Sequence, residues 1–254
     1  MLEGMGAPSE EGAAALASND SESSDVLDSS FGGIIWKATS VAAGMAGIRL
    51  DAGRRLLIWL PAVFVVVMLG EMAIRNDLLL PYALATWAFY YLGIGIVLGT
   101  GVKRWMRDRW GEDRAWKIYE VICGIQFFTI GSGFAAAAMI GADTLNISNS
   151  MAIIVAVPVF VVGFGVKFWA TWIVGMDTYY YRDLFLEKAH GEFTAKGPYQ
   201  KLANPMYGVG NWHGYAVALL AGSTAGLVFA AVCHLSIYGF YFIVEKPFIV
   251  ELYS

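Results

Sequence analysis

Four long apolar runs dominate the first two thirds of the sequence. They cover residues 56–73, 79–102, 120–141 and 152–175. A helix needs about 20 residues to cross the hydrocarbon of a bilayer, and each run is close to that length. A single strand inside lipid would leave its backbone groups without hydrogen bonds, so the runs are predicted to be helices. The sequence therefore predicts an all-α integral membrane protein with several spans.

The composition supports a membrane protein and argues against several other classes. Hydrophobic residues make up 57% of the 254 residues and charged residues only 15%, against about 25% charged residues in an average soluble domain. A soluble enzyme, a nucleic-acid-binding protein and a disulfide scaffold are therefore disfavoured. Cys123 and Cys233 both lie within apolar stretches, so we interpret them as buried thiols.

The N-terminal part of the sequence differs from the rest. Residues 1–30 contain seven acidic side chains and no lysine or arginine, in a background of Ser, Ala and Gly. Such a segment cannot bury enough apolar surface to offset the entropy of ordering. We therefore predict a disordered acidic tail over residues 1–33. The small and apolar residues that follow recur at helical spacing, which indicates an interfacial helix within residues 34–55.

Basic residues are concentrated on one side of the predicted spans. The segment 103–117 carries six lysines and arginines, whereas the loop 142–150 carries none. The positive-inside rule therefore predicts that both ends of the four-span unit lie in the cytoplasm. Tyr179, Tyr180 and Tyr181 follow the fourth run, where an aromatic belt at the membrane surface is expected.

The last fifty residues predict a helical hairpin. Asn204 and Pro205 suit the cap and the first turn of a helix, and a long apolar stretch follows them. A break at residues 221–224 precedes a second apolar run, over roughly 226–244. We expect both ends of the hairpin on the cytoplasmic side, which returns Glu245 to the level of Asn204. The predicted fold is thus four transmembrane helices and a C-terminal hairpin, with a cytoplasmic-side active site.

One face of the first hairpin arm is small and polar. Tyr207, Gly210, Asn211 and Gly214 recur at helical positions i, i+3, i+4 and i+7. Such a face either packs against another helix or lines a ligand site, and the residues alone leave both interpretations open. Glu245 likewise either marks the water interface or belongs to the same site.

Three short motifs follow one another in the C-terminal part of the sequence. Gly163–Phe164–Gly165 lies in the fourth apolar run, Asn204–Pro205–Met206–Tyr207 begins the hairpin, and Glu245–Lys246–Pro247–Phe248 ends it. In their order and spacing these motifs resemble the phosphatidylethanolamine N-methyltransferases. That family belongs with the isoprenylcysteine carboxyl methyltransferases to a wider group of integral membrane methyltransferases. The resemblance covers about residues 152–254, so we assign 151–254 as a methyltransferase core.

The resemblance implies an enzyme of phospholipid biosynthesis. Such enzymes transfer methyl groups from S-adenosyl-L-methionine to phosphatidylethanolamine or its mono- and dimethylated forms, towards phosphatidylcholine. The family's G-x-G and acidic elements are implied to bind this cofactor. Lys246 departs from the family, because a second glutamate is usual at its position. The cofactor-binding residues implied here are Gly163, Gly165, Asn204, Pro205, Tyr207 and Glu245.

The same resemblance implies partners and a location. The partners are a lipid of the phosphatidylethanolamine class and the bilayer itself, with no nucleic acid. The membrane would be the endoplasmic reticulum in a eukaryote and the inner membrane in a bacterium. Residues 56–150, the predicted N-terminal transmembrane helices, carry no motif of this family, and no sequence feature indicates an oligomeric state.

Elementary chemistry points to residues that would carry methyl transfer. The sulfonium and ammonium of the cofactor are positive, so Glu245 is a suitable partner. The acceptor ammonium has no lone pair until it loses a proton to a base. Our first candidates for this base are Asp183 and His213, although Asp183 equally suits an ion pair with Arg182 and His213 a bond to a neighbouring helix. The ring of Tyr207 suits contact with a methylated ammonium.

Three alternatives stay open beside this interpretation. The acceptor could be another amphiphile, such as an isoprenylcysteine carboxylate. The chain could instead be a sterol-reductase-like membrane oxidoreductase with a nicotinamide cofactor, or a non-catalytic bundle that supports another protein. The prenylcysteine branch typically has R-H-P where this chain has Ala203–Asn204–Pro205, which favours a lipid amine. We interpret His234, inside the second arm, as a packing residue, and no His and Cys spacing indicates a metal site.

Overall fold

The computed structural model describes residues 31–189 and 196–253. The expected acidic tail lies outside the described residues, except for its last three residues, which begin a helix at Phe31. The chain divides into two compact units, Met1–Ser40 and Val41–Ser254. All the contacts described below lie within the second unit.

The described part of the chain is helical and contains no strand. Five of its helical stretches are long and apolar enough to cross a membrane, and four of them coincide with the predicted runs. The fifth is the second arm of the expected hairpin, so the all-α fold is confirmed, with five candidate membrane spans among the described residues. The helices are α1 (Phe31–Met45), α2 (Leu56–Arg75), α3 (Leu79–Trp87), α4 (Gly93–Gly99), α5 (Val102–Trp110), α6 (Glu112–Met139), α7 (Asn149–Tyr179), α8 (Arg182–Leu186), α9 (Trp212–Leu220), α10 (Thr224–Phe240) and α11 (Lys246–Tyr253).

Two of the spans contain a wide turn of π type. Ala88–Leu92 joins α3 to α4, and Tyr241–Glu245 joins α10 to α11. A π turn adds one residue to the hydrogen-bonded ring, which changes the direction of the side chains beyond it, and such turns often occur at functional sites. The second of them carries Glu245.

Helix α6 is the centre of the bundle. Of its apolar stretch 56% is buried, compared with 17% for the stretches that contain α2 and α7. Its small residues allow neighbours to approach closely. A Cβ atom on Gly133 would overlap the Thr86 hydroxyl, and one on Gly124 would overlap the carbonyl oxygen of Gly47. Cys123, on the same helix, is a buried free thiol, as is Cys233 on α10, which confirms the prediction for both.

The chain leaves α7 through a compact turn of tyrosines. Gly175 has φ +82° and interrupts the regular helix, and Tyr181 has φ +63°. The side chains of Tyr179, Tyr180 and Tyr181 are 8%, 0% and 7% exposed. The expectation of an aromatic belt at these positions is therefore wrong. After the break at Gly175 the three rings lie in the core, where Tyr179 and Tyr180 pack on Phe127 of α6 and Tyr181 packs on Phe240 of α10.

The C-terminal hairpin is present, but its first helix begins later than predicted. Residues 204–208 form turns, and α9 begins at Trp212. The expected helix cannot pass Gly208, whose ψ of −107° is not helical. At the far end the turn of the hairpin bonds to the loop after α6, where the Leu145 N–H donates to the Gly222 carbonyl oxygen at 2.8 Å.

Candidate functional site

A cavity of about 540 Å³ lies inside the C-terminal unit. Its volume is within the range of about 300–1,000 Å³ that is typical of small-molecule sites. Its walls come from the end of α1, from α6, α7, α9 and α10, from both π turns and from the segments that connect α7 to α9, and many of the wall side chains are apolar or aromatic. Thirteen of the wall side chains carry a polar group. They are Tyr90, Tyr91, Ser132, Lys167, Thr178, Tyr179, Tyr181, Tyr207, Asn211, His213, His234 and Glu245, with the thiol of Cys233.

Glu245 and Tyr207 meet on one wall of this cavity. The Tyr207 hydroxyl donates to Oε2 of Glu245 at 2.6 Å, and the hydroxyl oxygen of Tyr181 lies 3.4 Å from that of Tyr207. Burial, followed by the negative charge of Glu245, raises the pKa of Tyr207 well above its usual value. The hydroxyl therefore keeps its proton and acts as the donor. The hairpin thus brings together two motifs that are 38 residues apart in sequence.

Asn204 and Pro205 build the turn that carries Tyr207. The Asn204 side-chain oxygen accepts from the Tyr207 N–H at 3.0 Å, as an N-cap side chain would. Pro205 is fully buried, and its carbonyl oxygen accepts from the Gly210 N–H at 2.8 Å. Neither residue is among those described as lining the cavity. Their contacts support a role in positioning Tyr207 and Gly210.

The two candidate bases lie in different places. His213 lines the cavity, and its Nδ1 lies 2.6 Å from the carbonyl oxygen of Gly210. Because a carbonyl oxygen only accepts, Nδ1 carries the proton and Nε2 of the neutral ring is free to accept one. Asp183 lies on the short helix α8 and is not among the described residues of the cavity wall. Of these two residues, only His213 is in reach of a molecule bound there.

The two motif glycines of α7 do not line the cavity. Gly163 is buried where α7 meets the start of α9, and a Cβ atom added to it would lie 2.6 Å from the backbone nitrogen of His213. Gly165 is exposed and has no atom within 4 Å of such a position. Phe164, which stands between them, does line the cavity. Gly163 therefore allows the close helix approach that sets the position of His213.

Lys167 is a cavity residue that sequence analysis missed. It lies on α7, and its ammonium donates to the side-chain oxygen of Asn211 at 3.1 Å. The same ammonium lies 5.9 Å from the centre of the Tyr179 ring, within range of a cation–π contact. The available signal was a lone lysine at the centre of a long apolar run, since ionisable residues inside membranes are functional candidates by default.

His234 lies on the cavity wall, whereas Lys246 does not. His234 lines the cavity, and its ring also makes the packing contacts expected of it, with the Tyr215 hydroxyl 3.2 Å from Nδ1 and the Tyr238 ring stacked on it. Lys246 is exposed and lies with its ammonium 5.7 Å from the centre of the Phe242 ring. It is not among the described cavity residues, so the departure from the family motif lies outside the cavity.

Comparison with protein families identifies the part of the chain that contains most of this site. Residues 151–254 match the phospholipid methyltransferase family. The match confirms the resemblance inferred from the three motifs. The matched segment supplies Lys167, Tyr207, Asn211, His213 and Glu245, whereas α6, the first π turn and the end of α1 supply the remaining wall residues. Comparisons with curated proteins and with solved structures give no match. The family match thus extends over residues 151–254, and this segment of the chain is similar to phospholipid methyltransferases.

Proposed function

We propose that this protein transfers methyl groups from S-adenosyl-L-methionine to the amine of phosphatidylethanolamine or of its partly methylated forms. The observation that carries the proposal is the hydrogen bond between Tyr207 and Glu245 on the wall of a ligand-sized cavity. Both residues belong to family-like motifs, and most of the polar wall lies in the segment that matches phospholipid methyltransferases.

The chemistry of the cavity fits this cofactor. Glu245 is a carboxylate suited to the positive charges of the cofactor, and the aromatic walls suit its flat adenine ring. When bound, the cofactor supplies an activated methyl group on a positively charged sulfur. Glu245 would hold the cofactor, and Tyr207 would fix the direction of the Glu245 carboxylate by its hydrogen bond.

His213 is the residue that we propose as the base. An ammonium acceptor must lose its proton before its nitrogen has a lone pair. Nε2 of His213 holds the lone pair of the neutral ring because Nδ1 bonds to the carbonyl oxygen of Gly210. Burial, followed by the charge of Lys167, lowers the pKa of His213 to about 3, so the ring is a weak base and is neutral before it receives the proton of the acceptor. Beyond this step, the protein has to align donor and acceptor and exclude water. The apolar lining from Phe127, Phe134, Phe160 and Phe164 suits both the exclusion of water and contact with a lipid.

The test uses the purified full chain in vesicles that contain phosphatidylethanolamine, with methyl-labelled S-adenosyl-L-methionine. We expect label in N-methylated ethanolamine lipids. A matched pair of variants links this activity to the cavity, because Glu245 lines it, whereas Glu251 is exposed on α11 and is not among the described wall residues. E245Q should lose the activity and E251Q should retain it. Label found only on a different acceptor, such as a prenylcysteine carboxylate, would contradict the proposal.

A further inference from the structure

The cavity contains one side chain of each charge. Among the described residues of its walls, Lys167 is the one lysine or arginine and Glu245 is the one carboxylate. The two come from different spans, Lys167 from α7 and Glu245 from the π turn after α10. Any ligand that fills this cavity therefore meets a cationic group and an anionic group.

Lys167 and Glu245 do not neutralise each other. No ion pair within 31–189 and 196–253 joins them. Each is held by a neutral partner instead, Lys167 by the Asn211 amide and Glu245 by the Tyr207 hydroxyl. A lysine ammonium has three N–H donors, and Asn211 takes one of them. The ammonium thus retains donors for an additional acceptor.

Charges in such positions cost free energy in the empty protein. Removing a charge from water is unfavourable unless an opposite charge or several hydrogen bonds compensate it. A ligand that brings a negative group to Lys167 and a positive group to Glu245 would compensate both. The amino-acid end of S-adenosyl-L-methionine has this pattern, since it carries a carboxylate and an ammonium, and the sulfonium adds positive charge.

We propose that Lys167 binds the carboxylate of the methyl donor, with Asn211 holding the lysine ammonium in position. This inference rests on the proposed function, because it assigns a residue to the cofactor of that reaction. Lys167 and Glu245 together then recognise a zwitterionic amino-acid end, and Lys167 is a binding residue that none of the family-like motifs contains.

The depth of Lys167 favours the donor over the lipid as the source of the negative group. The regular helix of α7 is interrupted at Gly175, eight residues after Lys167, which is about 12 Å along the helix axis at about 1.5 Å per residue. A lipid phosphate lies at the level of the headgroups, near the end of a span. The carboxylate of a ligand enclosed in the cavity reaches deeper than a phosphate at the surface.

The experiment compares two ligands that differ only in the carboxylate. Equilibrium binding of S-adenosyl-L-methionine and of its decarboxylated analogue is measured on the purified full chain in lipid, without an acceptor. We expect the unmodified protein to bind the carboxylated ligand roughly 10- to 100-fold more tightly, the value of a charge-assisted hydrogen bond. K167M should lose this preference and should bind the decarboxylated analogue with nearly unchanged affinity.

Two further variants complete the design. N211D places a carboxylate beside Lys167 that competes with that of the ligand, so it should also lose the preference while it keeps the lysine. K246M is the matched control, because Lys246 is exposed and is not among the described cavity residues. It should keep the preference of the unmodified protein.

The outcomes separate this inference from the proposed function. The inference is overturned if K167M and N211D keep the preference for the carboxylated ligand, or if they weaken the binding of both ligands equally. It is also overturned if K167M binds both ligands normally and instead raises the KM for phosphatidylethanolamine, because the negative group would then be the lipid phosphate. In each of these cases the unmodified protein still binds the donor. Failure of the unmodified protein to bind either ligand would contradict the proposed function itself.

Discussion

Two groups of charged residues in this bundle differ in the partners that they contact. At the ends of the spans, charges pair with opposite charges. Glu120 on α6 pairs with Arg49 and Arg55, and Glu187 after α8 pairs with Lys103, Arg104 and Arg107. In the cavity, Lys167 and Glu245 bond to a neutral amide and a neutral hydroxyl. The difference indicates that the first group stabilises the fold, whereas the second group is available to a ligand.

The largest effect should come from a buried pair of the first group. Glu120 is 3% exposed and pairs with both Arg49 and Arg55, so E120Q removes the carboxylate that the two arginines share and leaves Arg49 with Asp177 as its remaining counter-charge. We expect a loss of about 3–5 kcal/mol in the free energy of unfolding, the usual cost of breaking a buried ion pair. Thermal unfolding in detergent measures it.

The matched control for E120Q is E71Q on α2. Glu71 pairs with Arg75, but the two side chains are 47% and 74% exposed. An exposed pair is worth about 0–1 kcal/mol, so E71Q should unfold close to the temperature of the unmodified protein. Equal losses of stability in E120Q and E71Q would contradict this expectation, since burial would then not determine how much an ion pair contributes.

A cavity charge should behave in the opposite way. E245Q should weaken binding of S-adenosylhomocysteine by roughly 10- to 100-fold, because a charge-assisted bond to the ligand becomes a neutral one. The empty variant should nevertheless unfold at a temperature no lower than that of the unmodified protein, because an uncompensated charge has been removed. Binding and thermal unfolding are measured on the same preparation. A variant that loses stability and retains binding would place Glu245 in the first group.

Two features of the molecule were predicted correctly from the sequence, the long apolar spans and the contact between the two ends of the hairpin. The spans followed from the length of the apolar runs, which depends on composition alone. The contact between Glu245 and Tyr207 followed from motifs at the two ends of a hairpin. Both predictions needed only local patterns.

The inward-facing side of α7 could not be predicted in this way. An apolar span has hydrophobic residues all round, so its sequence does not indicate which side is buried. In the structure Gly163 packs against α9, Gly165 is exposed and Lys167 lines the cavity. The three residues lie within two helical turns, and the sequence does not indicate this difference between them. The direction of these residues is set by the contact with α9, whose start depends on the turn at Gly208.

A smaller effect is expected from the paired group at low pH. Partial burial alone would raise the pKa of Glu187, but hydrogen bonds from Arg104 and Arg107 and the charge of Lys103 outweigh it and lower the pKa from 4.5 to about 2. A carboxyl group whose pKa is lowered by folding stabilises the fold at pH values above its pKa in the unfolded state. This stabilisation is lost as the pH falls through its pKa in the folded state.

The stability of the unmodified protein should therefore exceed that of E187Q above about pH 4.5, the ordinary pKa of the group. The two proteins should converge as the pH falls towards about 2. Unfolding midpoints measured over this range test the sign. A difference that grows on acidification would show that Glu187 is not held in its charged form by the three basic residues.

The smallest effect should come from the position where this chain departs from the family. Lys246 follows Glu245 directly, but it is exposed and lies over the Phe242 ring, and it is not among the described residues of the cavity wall. K246E restores the usual pair of glutamates. Charges exposed to water contribute about 0–1 kcal/mol, so we expect affinity for S-adenosylhomocysteine to change by less than about fivefold. A larger gain would mean that the second carboxylate reaches the bound cofactor. The cavity would then hold two acidic groups, and the one-to-one match of Lys167 and Glu245 with a zwitterionic ligand would no longer describe it.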